Sequence, residues 1–255
     1  MLTVGSFSHA GLKRKDHPNQ DAFETCLPGL FNPHPPLFIV ADGMGGYNGG
    51  EIASQLVVKT IKEFYRHQPR GSADIQTILK KAIFKAHEAV INYAFEHEAM
   101  IQMGSTVVVA VIVEKKLYLG NVGDSRAYLI NRKEIKSVSY DHSLVAELVR
   151  SGIVSPEEAR VHPRKNVLSM SISAQRQTIE PYLAEMEIDP DEDQLLLCTD
   201  GLWGVVPEKE IQETVIHMAP QRAGRQLIDL ANHYQGPDNI TAVLVKMAPQ
   251  QNKLP

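Results

Sequence analysis

The chain has 255 residues, 43 % hydrophobic and 22 % charged, a balance that supports a packed core and excludes disordered and fibrous classes. Its 26 basic and 30 acidic side chains leave a net charge of −4 with no long run of one sign, which argues against a nucleic-acid or polybasic membrane-surface binder. The longest apolar run, Val107–Val113, falls far short of the roughly 20 residues that span a bilayer. The start lacks a signal-peptide core, so a cytoplasmic location is expected. The two cysteines, Cys26 and Cys198, form no C-x-x-C pair, which speaks against a disulfide framework and a cysteine zinc site.

In chain order, Leu37–Ala41 predicts the first strand. Ile52, Leu56, Val57, Ile61 and Phe64 keep one face of a helix over Glu51–His67, and Ile75, Leu79, Ala82, Ile83, Ala86 and Val90 do the same for a second helix. Strands follow at Thr106–Val113 and Leu117–Ile130, separated by the hairpin-length Glu114-Lys115-Lys116. His142–Pro181 is less regular and reads as a surface insertion. Gln194–Thr199 and Ile240–Lys246 complete the strands. Strands and helices do not alternate regularly, which favours an α+β sheet architecture over a doubly wound one. Without repeats or a linker, residues 1–248 read as one domain, with a frayed tail over Pro249–Pro255.

Five aspartates stand at strand ends or in adjoining turns: Asp21 after Asn19-Gln20, Asp42 before Gly43-Met44-Gly45-Gly46, Asp124 in Val122-Gly123-Asp124-Ser125-Arg126, Asp200 before Gly201, and Asp238 before Asn239-Ile240-Thr241. Each alone reads as a turn residue. Together they converge, because strand ends in a layered fold meet at one edge, and crowded carboxylates repel unless a cation compensates them. The all-oxygen set suits Mg²⁺ or Mn²⁺ better than Zn²⁺, and two such ions would activate a water against a phosphate ester. Arg14, shortly before Asp21, has the fork that grips phosphate, although in Lys13-Arg14-Lys15 it reads equally as a solvated cation.

These motifs resemble the PPM-type, or type 2C, metal-dependent serine/threonine protein phosphatases in their short bacterial form. The likeness runs from about Val4 to Met247 and includes Gly104-Ser105-Thr106, Asp141-His142-Ser143 and Cys198-Thr199-Asp200-Gly201-Leu202. It implies a central antiparallel β-sandwich flanked by helices on both faces, a four-layer αββα fold. It implies that Asp42 bridges two ions, the Gly43 carbonyl binds one, and Asp200 and Asp238 bind the other. Asp21 would hold metal-bound water, and Asp124 with Asp200 would offer a weaker third site. Arg14 would grip the phosphate, Asn239 would support the Asp238 loop, and a mobile flap from His142 to about Ile179 would contact phosphorylated protein substrates made by a serine/threonine kinase. Tyr47 and His142 would be substrate contacts, and the chain would act as a monomer.

The family arginine usually lies five positions before the first aspartate, where this chain has Asp16. Tyr47 replaces a frequent histidine, and Ser171-Ile172-Ser173-Ala174 replaces the leucine-glycine turn of the flap. A dinucleotide site at Ala41–Ser54 fails because Asn48 stands where the third glycine belongs, and no P-loop occurs. An inactive phosphoprotein-binding relative, or a phosphatase of an anti-sigma-factor antagonist, would use the same fold.

Overall fold

The alternation in one strand decides the layering. In β3 (Leu37–Met44), Leu37, Ile39 and Ala41 pack beneath two helices, whereas Phe38 and Val40 point the other way into a second sheet. With a side-chain period of two, Asp42 falls in the row of Phe38 and Val40 and ends it. A computed structural model describes residues 2–29, 32–45, 49–69 and 74–247. The expected tail over Pro249–Pro255 and the predicted contact Tyr47 lie outside the described residues.

Around β3 the elements run β1 (Leu2–His9), β2 (Asp21–Cys26), β3, α1 (Gly49–Arg66), α2 (Ile75–Glu96), β4 (Gly104–Ser105), β5 (Val107–Val113), β6 (Lys116–Val122), β7 (Arg126–Ile130) and β8 (Ile135–Ser137). They continue through α3 (Leu144–Arg150), α4 (Pro156–Val161), β9 (Ile172–Ser173), β10 (Tyr182–Glu187), β11 (Gln194–Cys198), α5 (Asp200–Trp203), α6 (Glu208–His217), α7 (Pro220–His233) and β12 (Ile240–Met247). One antiparallel sheet has the order β1-β12-β11-β7-β8. The other has β10-β6-β5-β3-β4-β9, with β2 also paired to β3. Phe38, Val108, Leu119, Leu195, Leu197 and Val243 fill the space between the sheets. The outer face of one sheet packs on α1 and α2 through Ile39, Ile61 and Ile83, and that of the other on α6 and α7 through Leu196, Ile211 and Leu227. The result is the expected αββα stack.

The expected strand over Leu117–Ile130 is two strands. Gly123 adopts a φ of 98°, which breaks the ladder after β6 and lets the chain pass to the other sheet as β7. Among the strands without a clear sequence signal, β1, β2 and β10 are sheet edges with mixed exposure, so their apolar alternation is diluted. Among the described residues no helix is long and apolar enough to cross a membrane.

Candidate metal centre

Asp21 and Asp42 are direct cross-strand partners in the β2–β3 ladder. Phe23 and Val40, on the same face of each strand, point between the sheets, so the two carboxylates share the end of that face. Like charges directly opposite destabilise a sheet, and a cation between them removes the penalty. Asp21 Oδ2 accepts from Thr199 Oγ1 at 2.9 Å and from Thr241 Oγ1 at 2.7 Å. Burial nevertheless pushes its carboxyl up to about 7, with the charges of Asp200 and Asp238 contributing. Asp42 keeps part of its surface open to the cavity, yet burial, followed by the charges of Asp21, Asp200, Asp124 and Asp238, holds it well above the carboxylate range. Its backbone is locked by Thr106, whose N–H donates to the Asp42 carbonyl at 2.9 Å and whose Oγ1 accepts the Asp42 N–H at 3.0 Å. At Gly43 a Cβ would lie 1.9 Å from the Gly50 carbonyl oxygen, so only glycine lets α1 start this close to the site.

From the opposite sheet, Asp200 begins α5 directly after β11. Burial and the charge of Asp238 push it up to about 6. Asp238 lies in the loop before β12, where Asn239 accepts the Gln20 N–H at 2.8 Å and donates to the Ala10 carbonyl at 2.9 Å. Arg14 Nη1 donates to Asp238 Oδ1, and its Nη2 donates to Gln20 Oε1 at 3.0 Å. The 3-10 turn over Leu12–Arg14 and the residues after it therefore bring Arg14 to the site despite its unusual distance from Asp21 in sequence.

Asp124 is buried in the crossover between the sheets, where burial and the charges of Asp200 and Asp141 raise it well above its ordinary value. The Trp203 indole N–H donates to its carbonyl at 3.1 Å, and the Arg126 guanidinium stacks 3.5 Å over that ring while chelating Asp141 at 2.7–3.2 Å. His142 does not line the cavity. Its backbone N–H donates to the Gly123 carbonyl at 3.0 Å, and its Nδ1 accepts the Gly123 N–H at 3.2 Å. Burial lowers its pKa, which keeps the imidazole neutral and able to accept. The structure thus places His142 as a brace behind the Asp124 loop.

Asp42, Gly43, Asp124, Asp200, Asp238 and Arg14 line one open cavity of about 620 Å³. Asp21 Oδ1 and Asp200 Oδ1 are buried without a hydrogen-bond partner among the described residues, an expensive arrangement unless a cation or its waters satisfy them. Among the described residues no three His, Cys, Asp or Glu side chains come close enough together to hold a metal ion by themselves. Carboxylates spread over a cavity suit Mg²⁺ or Mn²⁺, which takes few carboxylates per ion and retains waters. The oxygen-only donors fit such ions. Sequence reasoning missed Gln20, Thr106, Thr199, Thr241 and Trp203 as supports, and Arg176 as a cavity residue. Thr241 was accessible to it in principle, since it shares the inward face of Val243 and Val245.

Carboxylates gathered at the end of a sheet sandwich and faced by a guanidinium make a cavity suited to divalent ions and a phosphate. Residues 10–233 match the family described as Protein phosphatase 2C, and the chain belongs to that family. It is 35 % identical over 218 residues to the serine/threonine phosphatase stp of Listeria monocytogenes, covering 83 % of this chain and 84 % of the relative. It superposes on the serine/threonine phosphatase Stp1 of Staphylococcus aureus with a TM-score of 0.89 at 31 % identity, covering 98 % of this chain and 96 % of the other. The catalytic domain of the phosphatase PstP in complex with two manganese ions gives a TM-score of 0.84 at 29 % identity, with 97 % and 99 % covered.

Proposed function

We propose that this chain hydrolyses phosphoserine and phosphothreonine in proteins, with Asp42, the Gly43 carbonyl, Asp200 and Asp238 holding two Mn²⁺ or Mg²⁺ ions. The reading rests above all on the like-charged cross-strand pair Asp21 and Asp42, joined by Asp200 and Asp238 at one end of the sandwich. Bound divalent ions supply positive charge to the phosphoryl oxygens and lower the pKa of water. The chain's own groups do the rest. Arg14, held by Asp238 and Gln20 at the cavity wall, offers its remaining N–H donors to the phosphate oxygens and sets the ester in line. Asp21, immobilised by Thr199 and Thr241, orients water and accepts its proton through the free Oδ1. Asp124 with Asp200 offers a weaker third site, steadied by Trp203 and the His142 brace.

In the same reading the chain is a cytoplasmic monomer opposing a serine/threonine kinase. Its cysteines, Cys26 and Cys198, are free and buried, as suits a reducing compartment. Hydrolysis of a phosphothreonine peptide and of an aryl phosphate in Mn²⁺, with and without EDTA, tests the assignment. Full activity in EDTA would refute it. Arg14→Ala should raise KM about tenfold for both substrates with a smaller change in kcat, and unchanged kinetics would remove Arg14 from the site.

A further inference from the structure

The cavity carries a cation that the assignments above do not use. Arg176 follows β9 in a tight turn, where its N–H donates to the Ser173 carbonyl at 3.2 Å, and it lines the same cavity as the aspartates. Arg14 is bound by Asp238 and Gln20, and Arg126 by Asp141. The Arg176 side chain makes no hydrogen bond or ion pair with any described residue. It is only half-buried, and the cavity it lines holds, among the described residues, the carboxylates of Asp42, Asp124, Asp200 and Asp238.

Neighbouring cations strengthen the point. Arg164 and Lys165, on the segment that joins α4 to β9, are exposed and without carboxylate partners, and the Lys165 charge reaches Asp200. In a chain with net charge −4, the flap segment thus carries Arg164, Lys165 and Arg176 without ion pairs among the described residues. The cavity, about 620 Å³, lies well within the roughly 300–1,000 Å³ of ligand clefts and exceeds the need of one phosphoryl group. The unused guanidinium lies on the wall built by the flap segment, beside Asn166, Ser173 and Gln175. A planar guanidinium that is not already paired selects carboxylate or phosphate, because its fork matches two oxygens at once.

We infer that Arg176 is a specificity residue that receives a second anionic group of the substrate, a carboxylate or another phosphate borne within a few residues of the scissile phosphoserine or phosphothreonine. This rests on the phosphatase reading above. Three phosphothreonine peptides that differ only in one flanking position (glutamine, glutamate or a second phosphothreonine), together with an aryl phosphate, separate the possibilities in steady-state assays with Mn²⁺. The wild-type chain should show the lower KM for the two anionic peptides. Arg176→Gln should raise that KM about tenfold and leave the neutral peptide and the aryl phosphate within about twofold. Arg176→Lys should retain part of the preference, and the preference should shrink as salt is added. A loss confined to the doubly phosphorylated peptide, or to the glutamate peptide, identifies which anion is read. Equal losses on all four substrates would place Arg176 on the scissile phosphate and overturn the inference, as would a wild-type chain indifferent to the flanking charge. Absence of hydrolysis of every substrate would instead overturn the phosphatase reading, and this assignment with it.

Discussion

The carboxylate floor and the flap segment between residues 142 and 179 are built on opposite principles. The floor is made where strands end, and its residues are tied to neighbours there: the Asp21 carboxylate by two threonine hydroxyls, the Asp238 carboxylate by Arg14, the Asp42 backbone by Thr106 and the Asp124 backbone carbonyl by Trp203. Among the described residues the flap is tied to the sandwich mainly near its roots. At one end Asn121 bonds both backbone groups of Tyr140, and His142 bonds Gly123. At the other, β9 pairs with β4, and the His87 ring meets the Ser173 carbonyl at 3.2 Å. Between the roots lie two helices of seven and six residues, with Ile153 68 % and Val161 83 % exposed. Rigid sheet ends can hold mutually repelling charges in fixed geometry, whereas a loosely held insertion can follow the shape of a partner. On the proposed function, chemistry would belong to the floor and selection to the flap.

The largest effect should come from the floor. Asp42→Asn or Asp200→Asn removes one charge from a group that acts as a unit, and kcat should fall on the order of a thousandfold or more on both peptide and aryl phosphate. Steady-state kinetics beside calorimetric metal titration check this, and wild-type turnover with wild-type metal stoichiometry would break the ligand assignment. Next comes the flap itself. Exchanging Ser155–Ser173 for a relative's segment should change kcat/KM for phosphopeptides about tenfold while kcat for the aryl phosphate moves much less. Equal losses on both, with circular dichroism unchanged, would show that the flap shapes the metal site and would erase the contrast.

A smaller effect concerns stability. Asp21, pushed up to about 7 from an ordinary 3.8, keeps its proton in the metal-free folded chain at pH values where the unfolded chain has released it. Its contribution is fully present below about 3.8 and is lost as pH rises through about 7, so the metal-free chain should lose stability over that window. The melting temperature in EDTA should therefore be lower at pH 8 than at pH 5, and saturating Mn²⁺ at pH 8 should raise it. A metal-free melting temperature that rises with pH would contradict the crowded, buried carboxylates. The smallest effect lies in the flap. Ser155 caps α4 in a reciprocal box with Glu158, and Ser155→Ala should cost about 1 kcal/mol. Because α4 has no buried residue, hydrogen exchange should report that loss in the flap alone, with the global melting temperature almost unchanged.

The sequence by itself determined the central strands, because Leu37–Ala41, Val107–Ile112, Leu195–Cys198 and Ala242–Val245 are buried on both faces and read as unbroken apolar runs. It also marked the five aspartates, since charge at the end of such runs has no packing reason, and their ordered motifs carried the family. It did not determine where the run from Leu117 to Ile130 would break, because a left-handed Gly123 and a change of sheet are consequences of closing the sandwich. Nor did it decide the roles around the site. Asp16 occupies the usual spacing of the arginine, yet the turn at Leu12–Arg14 carries Arg14 to Asp238, 224 residues away in sequence. His142, expected as a substrate contact, bonds the Gly123 backbone behind Asp124, while Arg176, featureless in its own stretch, reaches the cavity. Local pattern specifies which face of an element is buried, but which side chains meet across two sheets depends on register and loop path, and those are settled only when the layers pack.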